Sequence, residues 1–140
     1  MAEPGPGFRP LPKAEGLAGI FLDGVAAGRL LLQHCAGCDQ HWHYPRPVCP
    51  RCGGRDWDWA DAAGTGCVHS VAIVHRAPIP SMKALTPYAL AMIDLDEGAR
   101  ITSILVGEGA LDAAVGDPVQ VAFPKDAKGE PGMPVFRRMP

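Results

Sequence analysis

The sequence predicts a mainly β protein with one short N-terminal helix, a four-cysteine metal site and a small antiparallel barrel or sandwich. Three observations lead there: an apolar segment with helical spacing, two Cys-x-x-Cys pairs separated by residues 39–48, and four later β-type segments separated by turn residues. A length of 140 residues with 47% hydrophobic residues suits one core and argues against two large domains. The 17 glycines and 15 prolines indicate an ordered but loop-rich chain.

Charge and hydropathy argue against two classes of protein. Lysine and arginine total 13 against 15 acidic residues, for a net charge of -2, whereas nucleic-acid binders normally carry a basic excess. No apolar stretch approaches the roughly 18 residues that cross a bilayer, and the first residues do not have the pattern of a signal peptide. An odd number of cysteines, four of them clustered, favours metal binding in a reducing compartment. We therefore expect a soluble, cytoplasmic protein.

The first 28 residues divide into a leader and a helix. Residues 1–15 contain four prolines and little to bury, which predicts a flexible leader. Residues 17–25 place apolar side chains at helical spacing, although Gly19 and Gly24 interrupt the segment. Because a helix this short and glycine-rich is marginal in water, we expect its apolar stripe to dock against the barrel or a partner protein.

The remaining segments are predicted to be strands. The brief apolar run 29–33 leads into the first cysteine pair, and the period-two pair Trp57 and Trp59 suits the end of a strand. The turn Asp96-Glu97-Gly98 is typical of a hairpin, because glycine takes the positive φ that such a connection needs. Residues 111–115 could form one helical turn. The barrel strands are predicted at residues 64–76, 88–95, 99–106 and 119–123.

The cysteine cluster is the strongest chemical signal. Cys35 and Cys38 form one pair, and Cys49 and Cys52 form the other. Two residues between thiolates let one tight turn direct both sulfurs at a common ion, and two such turns facing each other make a tetrahedral site. Zinc is favoured, but iron suits four thiolates as well. Because protein sulfurs fill all four positions, the metal is predicted to be structural.

Other readings of this segment are weaker. A redox pair needs only one Cys-x-x-Cys and a βαβ context, and four ordinary buried cysteines need no such spacing. His34, His41 or His43 could replace a cysteine as ligand, or simply be exposed or hydrogen-bonded.

Cys67 and His69 lie two apart on a predicted strand, and hence on one face. A Cys/His pair could form an activated nucleophile, but no orienting third group or oxyanion hole is evident. Core packing of the cysteine is the favoured interpretation.

Several blocks together resemble a known family, the "domain of unknown function 35" (DUF35) proteins, over residues 17–137. The blocks that carry the resemblance are Gly28-Arg29-Leu30, Gln33-His34-Cys35-x-x-Cys38, Tyr44-Pro45-Arg46-Pro47-x-Cys49-Pro50-x-Cys52, Gly64-Thr65-Gly66-x-Val68-His69-Ser70, Pro87-Tyr88-Ala89 and Leu95-Asp96-Glu97-Gly98.

The resemblance implies a rubredoxin-like zinc ribbon joined to a five-stranded, acyl-CoA-associated OB-fold. We accordingly divide the chain into the leader and helix (1–28), the zinc ribbon (29–60) and the OB-fold (61–140). Family members are commonly small partners of thiolase-fold enzymes (thiolases, acyltransferases or retro-aldolases), and others accompany or are fused to enoyl-CoA hydratases. In such complexes the larger partner carries the catalytic residues. Since the chain begins shortly before the helix, we expect a stand-alone, non-catalytic subunit.

The resemblance also directs attention to residues that could meet coenzyme A or a partner. Coenzyme A carries phosphates, so Arg76, Lys83 and Arg100 are the candidate cations of the barrel. Ile20 and Phe21 on the helix are the candidate partner contacts. The proline-rich connection 76–87 is either a lip for a pantetheine channel or a solvated connector. Arg137 and Arg138 are either further cations or part of a solvated tail.

Two other functions are alternatives. OB-folds and zinc ribbons also bind single-stranded nucleic acid, but the barrel region has few aromatic residues, Tyr88, Phe123 and Phe136. The second alternative is an acyl-CoA enzyme in its own right.

Overall fold

Two β-structures follow one another along the chain after a helix. The computed structural model describes residues 10–126 and 128–140. Within these residues a three-stranded sheet has the order β2-β1-β3, and a closed barrel has the order β4-β5-β6-β8-β7. The predicted mainly β fold, with an N-terminal helix and a five-stranded barrel, is confirmed. The elements are α1 (Gly16–Ala26), β1 (Leu31–Cys35), β2 (His41–Trp42), β3 (Trp57–Asp61), β4 (Thr65–Val74), a first 3₁₀ helix (Pro80–Leu85), β5 (Tyr88–Leu95), β6 (Arg100–Val106), a second 3₁₀ helix (Ala110–Asp112), β7 (Pro118–Ala122) and β8 (Val135–Arg138).

Two sets of strand pairs close the barrel. β4, β5 and β6 form an antiparallel meander, and the first residues of β4 also pair with β7. β8 fits between β6 and β7, antiparallel to β7 but parallel to β6. The expectation of a wholly antiparallel barrel is therefore wrong at this one pairing. The hairpin between β5 and β6 is present as predicted, with Gly98 at a φ of 94°.

The fifth barrel strand, β8, corrects the solvated-tail reading of the C-terminal residues. Val135 and Phe136 are 1% and 0% exposed, and Arg137 and Arg138 continue the same strand. The strand is only four residues long, so its apolar signal is a single Val-Phe pair. That pair is too short to reveal a strand by periodicity.

One hydrophobic core joins the helix, the ribbon and the barrel. Phe21 and Val25 of α1 and Leu32 of β1 lie in the same buried cluster as Ile93 of β5 and Phe136 of β8. The helix therefore packs within its own chain, chiefly against β1 of the ribbon, and contributes to the core that the ribbon shares with the barrel. The predicted leader lies largely outside the described residues, which begin at residue 10.

The two helix glycines mark close packing and do not interrupt the helix. A Cβ at Gly24 would lie 2.7 Å from Leu31 Cδ1 and 3.2 Å from the Arg29 carbonyl oxygen. At Gly19 it would lie 3.0 Å from the carbonyl oxygen of Ala14. Both glycines are buried. They lower the helix propensity of α1 but allow close contact between α1 and its neighbours.

Replacing Gly24 by alanine is therefore expected to destabilise the protein although alanine favours helices. Overpacking of this kind costs about 1–3 kcal/mol, more than the roughly 1 kcal/mol that propensity returns. Urea denaturation of the metal-loaded protein measures the change. Asp23→Ala is the control, since Asp23 is an exposed residue of the same helix. A Gly24→Ala variant as stable as the control would contradict the close approach.

The proline-rich connection between β4 and β5 is partly ordered and buried, so it is not simply a solvated connector. Its middle forms the first 3₁₀ helix, and Met82 on that helix is 9% exposed. Met82 packs in a second cluster together with Tyr88, Ile104, Val106 and Val135. The predicted helical turn at residues 111–115 is shorter and begins earlier, as the second 3₁₀ helix.

None of the helices in the described parts of the chain has the length and apolar character needed to span a bilayer.

Candidate functional site

The four clustered cysteines converge on one point. The Sγ atoms of Cys35, Cys38, Cys49 and Cys52 all lie within 4.8 Å of one another. Two of the separations, Cys35 to Cys52 and Cys38 to Cys49, are 3.6 Å. Sulfurs held about 2.3 Å from a central zinc ion in a tetrahedron lie about 3.8 Å apart. The arrangement therefore fits a four-thiolate metal site.

The two Cys-x-x-Cys turns are held by the same pair of backbone hydrogen bonds. In each turn the first cysteine accepts from the amide four residues later and donates to the carbonyl five residues later. The four bonds, each 2.9 Å long, run from Asp39 N to Cys35 O, from Cys35 N to Gln40 O, from Gly53 N to Cys49 O and from Cys49 N to Gly54 O. Backbone hydrogen bonds therefore form the two turns, and they bring the sulfurs together without a metal ion.

Asp39 and Gly53 occupy equivalent positions in the two turns, and both are left-handed, with φ of 63° and 74°. Aspartate tolerates this conformation better than most side chains. The Asp39 carboxylate also lies 2.5 Å from Nε2 of His34, and this hydrogen bond lowers the pKa of Asp39.

Without a cation, the thiol of Cys38 stays protonated at neutral pH, whereas the thiol of Cys49 ionises more readily. At Cys38 the backbone amide of Gln40 lowers the pKa, but burial and the three other cysteines outweigh it and raise the value to about 12. At Cys49 burial raises the pKa, but the amides of Cys52 and Arg51 outweigh it and lower the value to about 7. Metal binding must therefore displace protons, and a falling pH must weaken it.

Aromatic packing shields one side of the cluster. Cys35 and Cys49 are each 1% exposed and pack with Trp42, which is 4% exposed. Trp57 meets Trp42 edge to face, with the ring centroids 6.2 Å apart. Cys52 is exposed, and its sulfur accepts a hydrogen bond from Gly54 N at 3.4 Å.

A buried amide ties β1 to the loop that leads into the second turn. Gln33 is 0% exposed; its Nε2 donates to the Arg46 carbonyl at 2.8 Å, and its Oε1 accepts from the Arg46 amide at 2.7 Å. Trp57 Nε1 donates to the Pro47 carbonyl of the same loop at 2.9 Å. Nothing in the sequence marks Gln33 for this role, because a polar residue in a short strand can be either buried or exposed.

The neighbouring histidines do not join the metal site. Among the described residues, the four cysteines alone form a group of closely spaced ligand atoms. The rings of His34 and His41 lie 4.4 Å apart, and the ring of His43 lies 5.0 Å from that of Phe21. Burial lowers the pKa of His43 to about 4, so this side chain is neutral at physiological pH.

Cys67 and His69 are both exposed, so the cysteine is not the core residue that we expected. The structure does supply a third group: His69 Nδ1 lies 3.1 Å from Asp94, whose carboxylate is held by Arg100 at 2.6 Å. Asp94 of β5 pairs with Cys67 of β4. The alternation of side chains along β5 is a sequence signal that could have placed Asp94 on the same face of the sheet. However, Arg100 Nη2 also lies 3.1 Å from His69 Nδ1, so this nitrogen is shared between Asp94 and Arg100.

Two of the candidate phosphate-binding cations, Arg76 and Arg100, lie far apart. Arg100 binds Asp94 through both Nε and Nη2, which lowers the pKa of that carboxyl and raises the pKa of the guanidinium. Arg76 lies just after β4, whose last residue pairs with Tyr88 at the start of β5. Arg100 instead pairs with Asp94, near the other end of β5. These ends are six residue steps apart along β5, or about 20 Å. Lys83 lies on the first 3₁₀ helix and is exposed.

The two candidate partner contacts on α1 point in different directions. Phe21 is 4% exposed and belongs to the core of this chain, so it does not lie on a surface that a partner can reach. Ile20 is 41% exposed. Of these two residues, only Ile20 is exposed enough to contact a partner protein.

Comparison with known proteins matches both halves of the chain to family models. Residues 22–58 match the rubredoxin-like zinc ribbon domain of ChsH2, and residues 59–124 match the C-terminal OB-fold domain of ChsH2.

Three relatives illustrate the range of similarity. A probable enoyl-CoA hydratase alpha subunit of Thermomonospora curvata is 37% identical over 130 residues, which are 93% of this chain but 40% of that protein. A DUF35 domain-containing scaffold protein of Methanothermobacter thermautotrophicus is 31% identical over 101 residues, 71% of this chain and 75% of that protein. A solved chain described as Ltp2-ChsH2(DUF35) aldolase superimposes with a TM-score of 0.76 at 35% identity, covering 91% of this chain and 98% of that one.

The chain thus spans less than half of the hydratase subunit but nearly all of the aldolase-associated chain. The two domain models, the scaffold relatives and the shared structure agree with each other. The chain belongs to the DUF35 family of zinc-ribbon and OB-fold proteins.

Proposed function

We propose that this chain is a non-catalytic subunit of a thiolase-fold enzyme (a thiolase, acyltransferase or retro-aldolase) and helps to form that enzyme's acyl-CoA site. One observation carries the proposal: the chain covers 98% of the Ltp2-ChsH2(DUF35) aldolase chain at 35% identity. The likeness therefore extends over the ribbon and the barrel of that chain together, and does not reside in a shared motif alone.

The chemistry of the described residues supports a non-catalytic role. The four cysteines fill a tetrahedral site completely, so a metal held there has no position for a reactive water. We infer a structural zinc ion, with iron as the other metal that four thiolates suit. We infer a reducing compartment such as the cytoplasm, where the thiols of a four-cysteine metal site persist.

The proposed domains are the leader and helix (1–28), the zinc ribbon (29–60) and the OB-fold (61–140). The shared core suggests that the three parts fold as one cooperative unit, since Phe21, Leu32 and Ile93 belong to one cluster. A subunit of this kind would present its ribbon and barrel to the partner enzyme in one fixed arrangement.

Single-strand nucleic-acid binding is less well supported by the barrel surface. Base stacking needs exposed aromatic rings, yet Tyr88 and Phe136 are buried and Phe123 is partly buried. Of the barrel's cations, Arg100 and Arg138 are already paired with Asp94 and Asp117.

Co-expression with a thiolase-fold enzyme encoded beside this chain tests the proposal. The two proteins are expected to co-purify, and thioester turnover is expected from the complex and not from this chain alone. Turnover by the isolated chain would contradict the non-catalytic role. Tight oligonucleotide binding that weakens steeply with salt would favour the nucleic-acid alternative.

Replacing Ile20 by aspartate is expected to weaken association with the partner enzyme at least tenfold and to leave the melting temperature nearly unchanged. A charge at an exposed apolar contact must be desolvated on binding. This costs more than about 1.4 kcal/mol, the free energy that corresponds to a tenfold change in affinity. Calorimetric titration measures the affinity. Ala26→Asp, also at an exposed position of α1, is the matched control. Equal affinity for the two variants would exclude this face of the helix from the interface.

A further inference from the structure

An apolar groove lies beside the ends of β5 and β6. Its volume is about 380 Å³, and it opens between the first 3₁₀ helix, these strand ends and the loop after β6. The side chains that define its character are Leu85, Tyr88, Ile104, Val106, Leu111 and Arg137. Three of them, Tyr88, Ile104 and Val106, belong to the second hydrophobic cluster, so packed side chains form part of its wall.

Charge in the groove comes from one residue. Among the described residues that line it, Arg137 is the only charged one and there is no carboxylate. The other lining groups are apolar, apart from the Tyr88 hydroxyl and the backbone. An occupant that matches these walls has a negative charge at one end and an apolar body.

Arg137 differs from its neighbour in having no protein partner that the described residues provide. Arg138 pairs with Asp117 at 2.9 Å and donates to the Gly109 carbonyl at 2.9 Å. Arg137 takes part in no such hydrogen bond or ion pair within residues 10–126 and 128–140, while its Nη1 lies 3.1 Å from the place where a Cβ on Gly107 would stand. The glycine thus leaves room for the guanidinium at the groove. A guanidinium with unused donors beside apolar surface is suited to bidentate binding of a carboxylate.

We propose that this groove binds a medium-chain aliphatic carboxylate, with the carboxylate on Arg137 and the chain along Ile104, Val106 and Leu111. The volume equals about a dozen water-sized units of roughly 30 Å³, enough for a chain of about ten carbon atoms. This activity goes beyond the proposed function, because it belongs to the isolated chain and needs no partner enzyme.

A small molecule suits the groove better than a peptide. The volume lies at the lower end of the range of about 300–1,000 Å³ that is typical of small-molecule sites. Peptides commonly bind by adding a strand to an open sheet edge, whereas the barrel beside this groove is closed.

Titration of the full-length, metal-loaded chain with sodium decanoate tests the proposal. Binding is expected to saturate at one equivalent, and amide NMR shifts are expected to change at residues 104–111 and 137. Octanoate is expected to bind about fifteenfold more weakly, since it lacks two methylenes and each buried methylene contributes roughly fourfold. Decanol, which has the same chain but no charge, is also expected to bind more weakly.

Two variants test the roles of charge and wall. Arg137→Gln is expected to weaken decanoate binding at least tenfold, because a charge-assisted pair is lost. Leu111→Glu adds a negative charge at an exposed wall position, and is expected to abolish saturable binding without unfolding the protein. Arg55→Gln, an exposed arginine of the ribbon, is the matched control and is expected to bind decanoate unchanged.

Decanoate binding that does not saturate, or that is equally strong in the Arg137→Gln and control proteins, would overturn the proposal. So would a peptide ending in two leucines that binds through Arg137 while decanoate does not. Because the isolated chain is measured, these outcomes are independent of whether it joins a thiolase-fold enzyme.

Discussion

Replacing Cys49 by serine is expected to abolish stoichiometric metal binding and to unfold the ribbon. Cys49 is 1% exposed and its sulfur stands 3.6 Å from that of Cys38, at the centre of the cluster. Three thiolates and a hydroxyl bind zinc far less tightly, and structural zinc contributes about 10–16 kcal/mol in small zinc-binding peptides. Loss of even a few kcal/mol lowers the melting temperature by about 10 °C or more.

Elemental analysis and thermal denaturation measure this effect, and the same analysis identifies the metal as zinc or iron. Cys67→Ser is the matched control, since Cys67 is an exposed cysteine outside the cluster. Fluorescence should change in the Cys49 variant because Trp42 packs against that cysteine. A metal-free Cys49→Ser protein that melts at the wild-type temperature would show that the metal does not hold the fold.

Metal retention is also expected to depend on pH. At neutral pH the Cys38 thiol, with a pKa of about 12, is protonated unless the metal displaces its proton. Protons compete increasingly as pH falls, so a chelator should remove the metal faster at pH 5.5 than at pH 7.5, and zinc added to the metal-free chain should release protons.

Replacing Gln33 by leucine is expected to lower the free energy of unfolding by about 2–4 kcal/mol. The amide of Gln33 satisfies both the N–H and the carbonyl of Arg46, and it is itself fully buried. These hydrogen bonds are partly buried, and each backbone group that loses its partner there costs about 1–2 kcal/mol. The loop before the second Cys-x-x-Cys turn would lose its tie to β1, so metal affinity should fall as well.

Urea denaturation at saturating zinc separates the folding effect from metal loss. Gln120→Leu on β7 is the matched control, because Gln120 is exposed and the same change there leaves no buried group unpaired. Equal free energies of unfolding for the two variants would mean that the Gln33 hydrogen bonds contribute nothing to the fold.

Local signals were enough for the metal site and most of the strands. The two Cys-x-x-Cys spacings predict the cluster because the turn that brings each pair of sulfurs together is formed within six residues. The β5–β6 hairpin follows from Asp96-Glu97-Gly98 for the same reason, since the turn chemistry is contained in adjacent residues.

Features that depend on distant parts of the chain were missed or misjudged. Gly24 looked like a weak point in a helix, but its place opposite Leu31 is what allows α1 to pack. Phe21 is a predicted partner contact but lies in the core of its own chain, with its ring 5.0 Å from that of His43. Asp94 stands beside His69 only because of the β4–β5 register.

The sequence by itself determined the family, the mainly β class and the four metal ligands, because each of these is encoded in short-range spacing. Only the tertiary structure decided which face of the helix is covered, that a short C-terminal strand closes the barrel, and that Arg137 faces an apolar groove while Arg138 is paired. The physical reason is that burial and ion pairing depend on which side chains the chain brings together across long separations, and no local pattern records those contacts.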